Sequence, residues 1–321
     1  MTVIMRGGRS VVTYYFPSDK RLATATRLRY KGRMTRCQSL CLAIGVWFGF
    51  LPACRAFSQA VQPYDRMYVF GDSYSDIGEG YLDGNGPTAV AYFAERLGFP
   101  LMRANDPAAA GKSLDFAISG AQTGSGAGRT VEGALFSVGM RNQVDDFAAR
   151  VRSHAIAFHP ETTLFYLAGG LNDRLLPSET TVSNLEGEIR TLYSVGGRKF
   201  LVALLPTAIP AFSAVGLRLD PALARIPSDL EGELKGAQIR MSNWGPFFDE
   251  VMLHPGRYGI QNTTEACAGR AIFHEDTTPC SAPATYFYYH KGHPSTAVHK
   301  VVGDKLYAEA MGSAAASGGG K

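Results

Sequence analysis

The stretch Tyr68-Val-Phe-Gly-Asp-Ser-Tyr-Ser-Asp-Ile-Gly78 governs how the rest of the chain is read. Residues 67–70 form a short apolar run that stops at Gly71, and Asp72 and Ser73 follow at a turn. A β-rich run stopped by glycine predicts a buried strand leaving a sheet. A serine at such an exit sits at the carboxyl edge, where open α/β sheets bind their ligands. Two readings of Ser73 stay open on these residues alone. It is a nucleophile, or it is a hydroxyl satisfying a turn, which is the commoner use of Gly-Asp-Ser.

The chain has 321 residues, 45% hydrophobic and 19% charged, enough for a sizeable core in one or two domains. Its formal charge of +4 is unevenly spread. Residues 1–60 hold ten of the 32 Lys/Arg and one of the 28 acids, Asp19. That leaves 22 basic and 27 acidic residues, a balance of −5, for 61–321. The basic excess belongs to the leader, so a nucleic-acid partner loses its main support.

The leader reads as an export signal. Met34-Thr-Arg36 is a short basic start, residues 40–53 are apolar and uncharged, and Ser58-Gln-Ala60 offers small residues for cleavage. Met34 reads as the start within a leader of residues 1–60. A run of about 14 residues falls short of the roughly 20 that span a bilayer. Leu51-Pro-Ala-Cys54 faintly resembles a lipoprotein cleavage box, with Pro52 against it. Of five cysteines, Cys37, Cys41 and Cys54 leave with the leader, and Cys267 and Cys280 remain. An even pair in an exported chain predicts one disulfide, worth roughly 3 kcal/mol on a disputed chain-entropy model. Free thiols are the alternative, and a zinc site has only His274 between the two cysteines. Export leads to periplasm, membrane surface or medium.

Along the remaining chain, 87–97 predicts a helix, 114–118 a strand, 120–133 a Gly/Ser/Thr loop and 143–154 a helix. Strands follow at 163–168 and 200–205, with a helix at 182–194 between them. Residues 230–253 predict one long helix interrupted at Gly245-Pro246, and 254–285 an irregular segment with the cysteine pair. After the aromatic run 286–289, Ser295 is placed to cap a last helix reaching Ala310, and 312–321 reads as a disordered tail. Strands alternating with helices predict a parallel sheet covered on both faces, in one domain over 61–311.

The strand ends offer Ser73, Gly120, Gly170-Leu-Asn172-Asp173 and His290-Lys-Gly-His293-Pro-Ser295. Acyl transfer near neutral pH needs a nucleophile, a base and donors for the developing oxyanion. Ser73 fits the first role and His293 the second. The Ser73 and Gly120 N–H groups and the Asn172 amide fit the third. Gly120 suits it because a missing side chain lets substrate approach the backbone.

These blocks and their order resemble the SGNH hydrolases, the GDSL-type lipases and esterases. Phe70-Gly-Asp-Ser-Tyr-Ser-Asp-Ile-Gly78 resembles the first block and Phe116-Ala-Ile-Ser-Gly-Ala-Gln122 the second. Gly170-Leu-Asn-Asp173 is similar to the third and His293-Pro-Ser295 to the last, and Asn85-Gly-Pro87 also resembles the family. The resemblance implies a three-layer α/β/α sandwich of flavodoxin-like kind and carboxylic-ester hydrolysis without metal or cofactor. It departs at one point: the family's last block is Asp-x-x-His, and His290 stands at the Asp position. A triad Asp fixes the base's tautomer and stabilises its imidazolium, and losing it can cost about 10⁴ in rate. A neutral His290 can accept the ring proton of His293 but supplies no negative charge.

Three arrangements follow: Ser73–His293–His290 at reduced rate, an acid from elsewhere with Asp276 and Glu275 as candidates, or a dyad braced by a carbonyl. The leading expectation is an exported serine esterase or lipase acting on acyl-lipid or phospholipid-type esters. The alternatives are an impaired SGNH-fold binding protein, a polysaccharide O-deacetylase or an acyltransferase. Membrane-surface contact and oligomeric state stay open. Asp72 and Asp76 lack a third metal ligand at useful spacing and read as holding the nucleophile turn, with Asp173 likewise structural. His154, His159, His254 and His299 read as capping, turn or packing residues, and Trp244, Phe247 and Phe248 as core or as acyl-pocket lining.

Overall fold

Continuous apolar runs with no polar face suit strands buried on both sides. In the computed structural model this is where Arg66–Gly71 (β1) and Thr163–Ala168 (β6) lie, paired in parallel from Arg66 opposite Thr163 to Gly71 opposite Ala168. The structure describes residues 63–318 and the short strand pair Met5–Arg6 and Arg9–Ser10. The leader features otherwise lie outside the described residues, Met34, the 40–53 run and Cys54 among them.

Around β1 and β6 the sheet adds Leu101–Arg103 (β2), Ser113–Asp115 (β3), Lys199–Ala203 (β7) and Gln238–Ser242 (β8). The six strands run in the order β8-β7-β6-β1-β3-β2, all parallel. A hairpin, Ala127–Val131 (β4) with Ala134–Val138 (β5), stands apart from the sheet. Helix Ala89–Arg96 (α1) packs on the last helix, Thr296–Gly318 (α7), which also meets Trp244–Leu253 (α6). Met140–Arg152 (α2), Ser178–Ser194 (α3), Ser213–Leu223 (α4) and Ile226–Glu231 (α5) form the other helical group, centred on α3. This is the expected α/β sandwich with a central parallel sheet. From β1 the chain passes to the edge strand β2, returns to β3 between the two, then crosses to β6 on the other side of β1, so the switch point lies at the carboxyl end of β1.

Several boundaries differ from the sequence reading. The long helix expected over 230–253 is helix α5, edge strand β8 and helix α6. Gly236, at φ +78°, breaks the helical path, and Gly245-Pro246 falls in the first turn of α6, where a missing N–H costs little. The loop expected over 120–133 contains β4, and helix α4 had no counterpart in the periodicity. Helix α7 runs to Gly318, past the end at Ala310 that the spacing predicts. Ser295 donates its hydroxyl to the Tyr286 carbonyl at 2.7 Å, binding strand Tyr286–His290 (β9).

The end of β1 is held tightly. A Cβ at Gly71 would meet the Ala168 carbonyl at 2.6 Å, so only glycine lets the two strands run together here. Buried Gln143 of α2 accepts from Gly71 N–H at 3.0 Å and donates to Gly71 C=O at 2.9 Å and Val138 C=O at 3.1 Å. Gln143→Leu strands the Gly71 N–H and is expected to cost about 1–3 kcal/mol in a urea melt. A change under about 0.5 kcal/mol, the scatter of ordinary surface substitutions, would contradict this role.

Candidate active site

Beyond Gly71 the backbone closes at once into a turn. Ser75 and Asp76 N–H donate to the Asp72 carbonyl at 3.0 and 2.9 Å, and Tyr74 N–H donates to Asp72 Oδ1 at 3.1 Å. Asp72 therefore holds the nucleophile turn, as expected. Burial pushes its carboxyl up to about 7, and its Oδ2 has no partner among the described residues. The turn presents Ser73 to His293: Ser73 Oγ and His293 Nε2 stand 2.9 Å apart. The Tyr74 hydroxyl donates to the Gly292 carbonyl at 2.9 Å, which fixes the turn against the segment carrying His293.

Asp76 joins this turn to the second block. Its Oδ1 accepts from Gly78 and Gly80 N–H at 2.8 and 3.3 Å, and its Oδ2 from Tyr81 and Ser119 N–H at 2.9 and 2.8 Å. Ile118 N–H donates to the Gly71 carbonyl at 3.1 Å, bringing Gly120 alongside the β1 exit. Gly120 has φ +78°, and a Cβ there would lie 2.8 Å from Ser137 Oγ, so this position too requires glycine. Neither Ser73 N–H nor Gly120 N–H has an acceptor among the described residues. The Asn172 side-chain amide donates to Ala121 C=O at 2.9 Å, leaving its second hydrogen uncommitted among the described residues. Asp173 accepts from Thr123 N–H at 3.1 Å and from the Thr181 hydroxyl at 2.8 Å, the structural part expected of it.

The third position differs from the sequence reading. His290 lies at the end of β9, and its Nδ1 is 2.7 Å from Asp83 Oδ1; it pairs with His293 along the backbone, and no side-chain hydrogen bond joins the two rings among the described residues. His293 Nδ1 lies 3.2 Å from the Lys291 carbonyl and 3.2 Å from Asp83 Oδ2. Arg270 Nη1 is 3.5 Å from the same Asp83 oxygen. Asp276 and Glu275, the acids first weighed for this role, are both engaged elsewhere. Asp276 accepts from Thr278 N–H at 2.9 Å, and Glu275 pairs with Arg270 at 3.1 Å. Asp83 escaped the sequence reading because Asp83-Gly84 reads as plain turn chemistry. The available signal was the histidine at position 290, which calls for a carboxylate from elsewhere.

Burial holds His293 below the usual imidazole range. The Asp83 carboxylate and the Lys291 carbonyl pull the other way, and the Arg270 and His290 charges add to the depression. The imidazole is therefore neutral at pH 7. His299 is a packing residue: its Nδ1 accepts from Ala89 N–H at 3.1 Å, and burial lowers it to about 3. Trp244 and Phe248 are fully buried around Tyr74, so they are core. Beside the second block, Tyr81, Phe136 and Phe273 form a run of rings with centroids 5.4 and 6.0 Å apart, with Leu135 and Phe273 partly exposed. Cys267 and Cys280 are disulfide-bonded, closing the loop that carries Arg270.

A serine hydroxyl bonded to an imidazole, at the switch point of a parallel α/β sheet, is the arrangement of a serine hydrolase. Residues 67–306 match the GDSL-like Lipase/Acylhydrolase family, and the chain belongs to it. At family level it is a carboxylic-ester hydrolase. A GDSL esterase/lipase of Arabidopsis thaliana is 24% identical over 271 residues, covering 70% of each chain. GDSL esterase/lipase 7 of the same plant is 21% identical over 321 residues, covering 76% of this chain and 87% of its own. Among solved structures, an aryl esterase of M. smegmatis is 13% identical and has a TM-score of 0.40. That match covers 77% of this chain and 98% of the esterase.

The depressed His293 sets a pH dependence. With His293 in the role of base that the sequence suggests, kcat/KM is expected to rise with pH through the His293 pKa, since a base must be unprotonated. Its acidic limb is expected below the ordinary imidazole value of about 6.5. A limb at or above that value for a non-ionising ester would contradict the burial argument.

Proposed function

We propose that this protein is an exported serine esterase, one catalytic domain over residues 61–311, which hydrolyses esters of apolar acyl groups through an acyl-enzyme. The observation that carries the reading is the 2.9 Å contact between Ser73 Oγ and His293 Nε2, beside two uncommitted backbone N–H groups. Ser73 attacks the ester carbonyl while its proton passes to His293 Nε2. Ser73 N–H, Gly120 N–H and the Asn172 amide receive the oxyanion. His293 then protonates the departing alkoxide, and water repeats the sequence on the acyl-enzyme to release the acid.

An apolar acyl group is favoured by Tyr81, Leu135, Phe136 and Phe273, which offer a hydrophobic wall near the Gly120 block. The same partly exposed residues suit lipid-type esters presented at a surface. Export is supported by the apolar leader run and by the Cys267–Cys280 disulfide, a bond that persists in oxidising compartments.

Hydrolysis of p-nitrophenyl acetate, butyrate and a long-chain ester tests the reading. Ser73→Ala is expected to lower kcat by about 10⁴-fold or more and to abolish labelling by a fluorophosphonate. If Ser73→Ala keeps full turnover, or if the wild type neither hydrolyses nor labels, the esterase reading fails and a binding role replaces it.

A further inference from the structure

We propose that Asp83 is the positioning acid of His293, and that His290 and Arg270 exist at this site to hold the Asp83 carboxylate in place. The proposal rests on the serine-esterase reading and deepens it.

The geometry assigns each atom a part. For His293 Nε2 to accept the Ser73 hydroxyl proton, its own hydrogen must sit on Nδ1. That hydrogen is bonded to the Lys291 carbonyl at 3.2 Å, and Asp83 Oδ2 stands 3.2 Å from the same nitrogen as an ion-pair partner. The carbonyl alone fixes the tautomer. Only the carboxylate offers a full negative charge when His293 becomes an imidazolium. Asp83 is buried, so that charge is poorly screened by solvent and acts strongly on its neighbour.

A buried carboxylate must itself be held. Its other oxygen, Oδ1, is 2.7 Å from His290 Nδ1, which donates because an ionised carboxylate only accepts. Arg270 stands 3.5 Å from Oδ2. The supports come from one folded unit. Cys267 and Ala268 N–H donate to the Tyr288 and Tyr289 carbonyls at 3.1 and 2.9 Å, so the Arg270 loop is bound to the strand that ends in His290. The Cys267–Cys280 bond closes that loop. Asp83 comes from a separate segment, two residues after Tyr81, whose N–H is fixed by Asp76. The charge that the resemblance placed at position 290 is thus supplied from position 83, and the side chain at 290 has become its hydrogen-bond donor. No proton leaves His293 for Asp83 in this scheme: the serine proton goes to Nε2 and on to the leaving alkoxide.

The test uses the whole protein with Asp83→Asn, the double variant Asp83→Asn/His290→Asp, His290→Leu and His290→Asn. Asp83→Asn is expected to lower kcat by about a hundredfold or more with KM little changed. Its acidic limb, and the His293 pKa read by NMR titration, should move down by about one unit or more, since a nearby opposite charge is lost. The double variant restores a carboxylate beside His293 and should recover at least about tenfold of the lost kcat. His290→Leu removes the donor to Asp83 and should cost about tenfold, while His290→Asn keeps a donor and most of the activity. The last two variants decide the matter if Asp83→Asn does not fold. The proposal is overturned if Asp83→Asn keeps wild-type kcat and His293 pKa. It is equally overturned if Asp83→Asn loses activity with the His293 pKa unmoved and no recovery in the double variant, or if His290→Leu and His290→Asn behave alike. The NMR titration needs no turnover, so an inactive wild type with a shifted His293 pKa would sink the esterase reading while sustaining the Asp83–His293 coupling.

Discussion

Four backbone N–H groups converge on the carboxylate of Asp76, and the site depends on that convergence. Gly78 and Gly80 keep the chain folded against the Ser73 turn. Ser119 N–H fixes the residue before Gly120, and Tyr81 N–H fixes the residue two before Asp83. One buried side chain thus sets the spacing among Ser73, Gly120 and Asp83. Those groups come from segments that share no secondary-structure element. A carboxylate with this many donors is among the stronger polar supports a loop can have.

The electrostatics follow from where charge is permitted. Ser73 lies at the switch point of a fully parallel sheet, where the loops after β1, β3 and β6 meet. Burial keeps His293 neutral at rest, and that same burial makes the imidazolium costly unless a fixed negative charge lies beside it. Asp83 lies 3.2 Å from the ring nitrogen opposite Ser73. On the proposed roles, the acid stands 207 residues before the histidine at position 290 and within reach of the same imidazole.

The parts of this molecule that follow from short-range chemistry were legible before the fold was known. Ser73, Gly120, Asn172 and His293 each lie in a compact block that the sequence marks out. The structure brings Ser73 and His293 into contact, and among the described residues the Ser73 and Gly120 N–H groups have no acceptor. The strands with continuous apolar runs, β1 and β6, were equally plain, because burial on both faces leaves no other pattern. Asp83 was not legible, because its role is defined by a neighbour 207 residues away and its local context is an Asp-Gly turn. Strand β8 was missed because Gln238-Ile-Arg-Met-Ser242 lies between helix-forming stretches and is only half-buried at the sheet edge. The β4–β5 hairpin was missed because a Gly/Ser/Thr-rich segment carries no apolar period, although it supplies Ser137 against Gly120.

The measurement that tests the account most directly is a crystal structure of the protein after reaction with a small alkyl fluorophosphonate. The account predicts a covalent bond to Ser73 Oγ, with the phosphoryl oxygen within about 3 Å of Ser73 N, Gly120 N and Asn172 Nδ2, the reach of an oxyanion-hole donor. It also predicts that His293 Nδ1 remains in contact with Asp83 while His290 and Arg270 keep their hold on that carboxylate. An adduct on another residue, a phosphoryl oxygen turned away from Gly120, or an Asp83 carboxylate swung out of reach of His293 would contradict it.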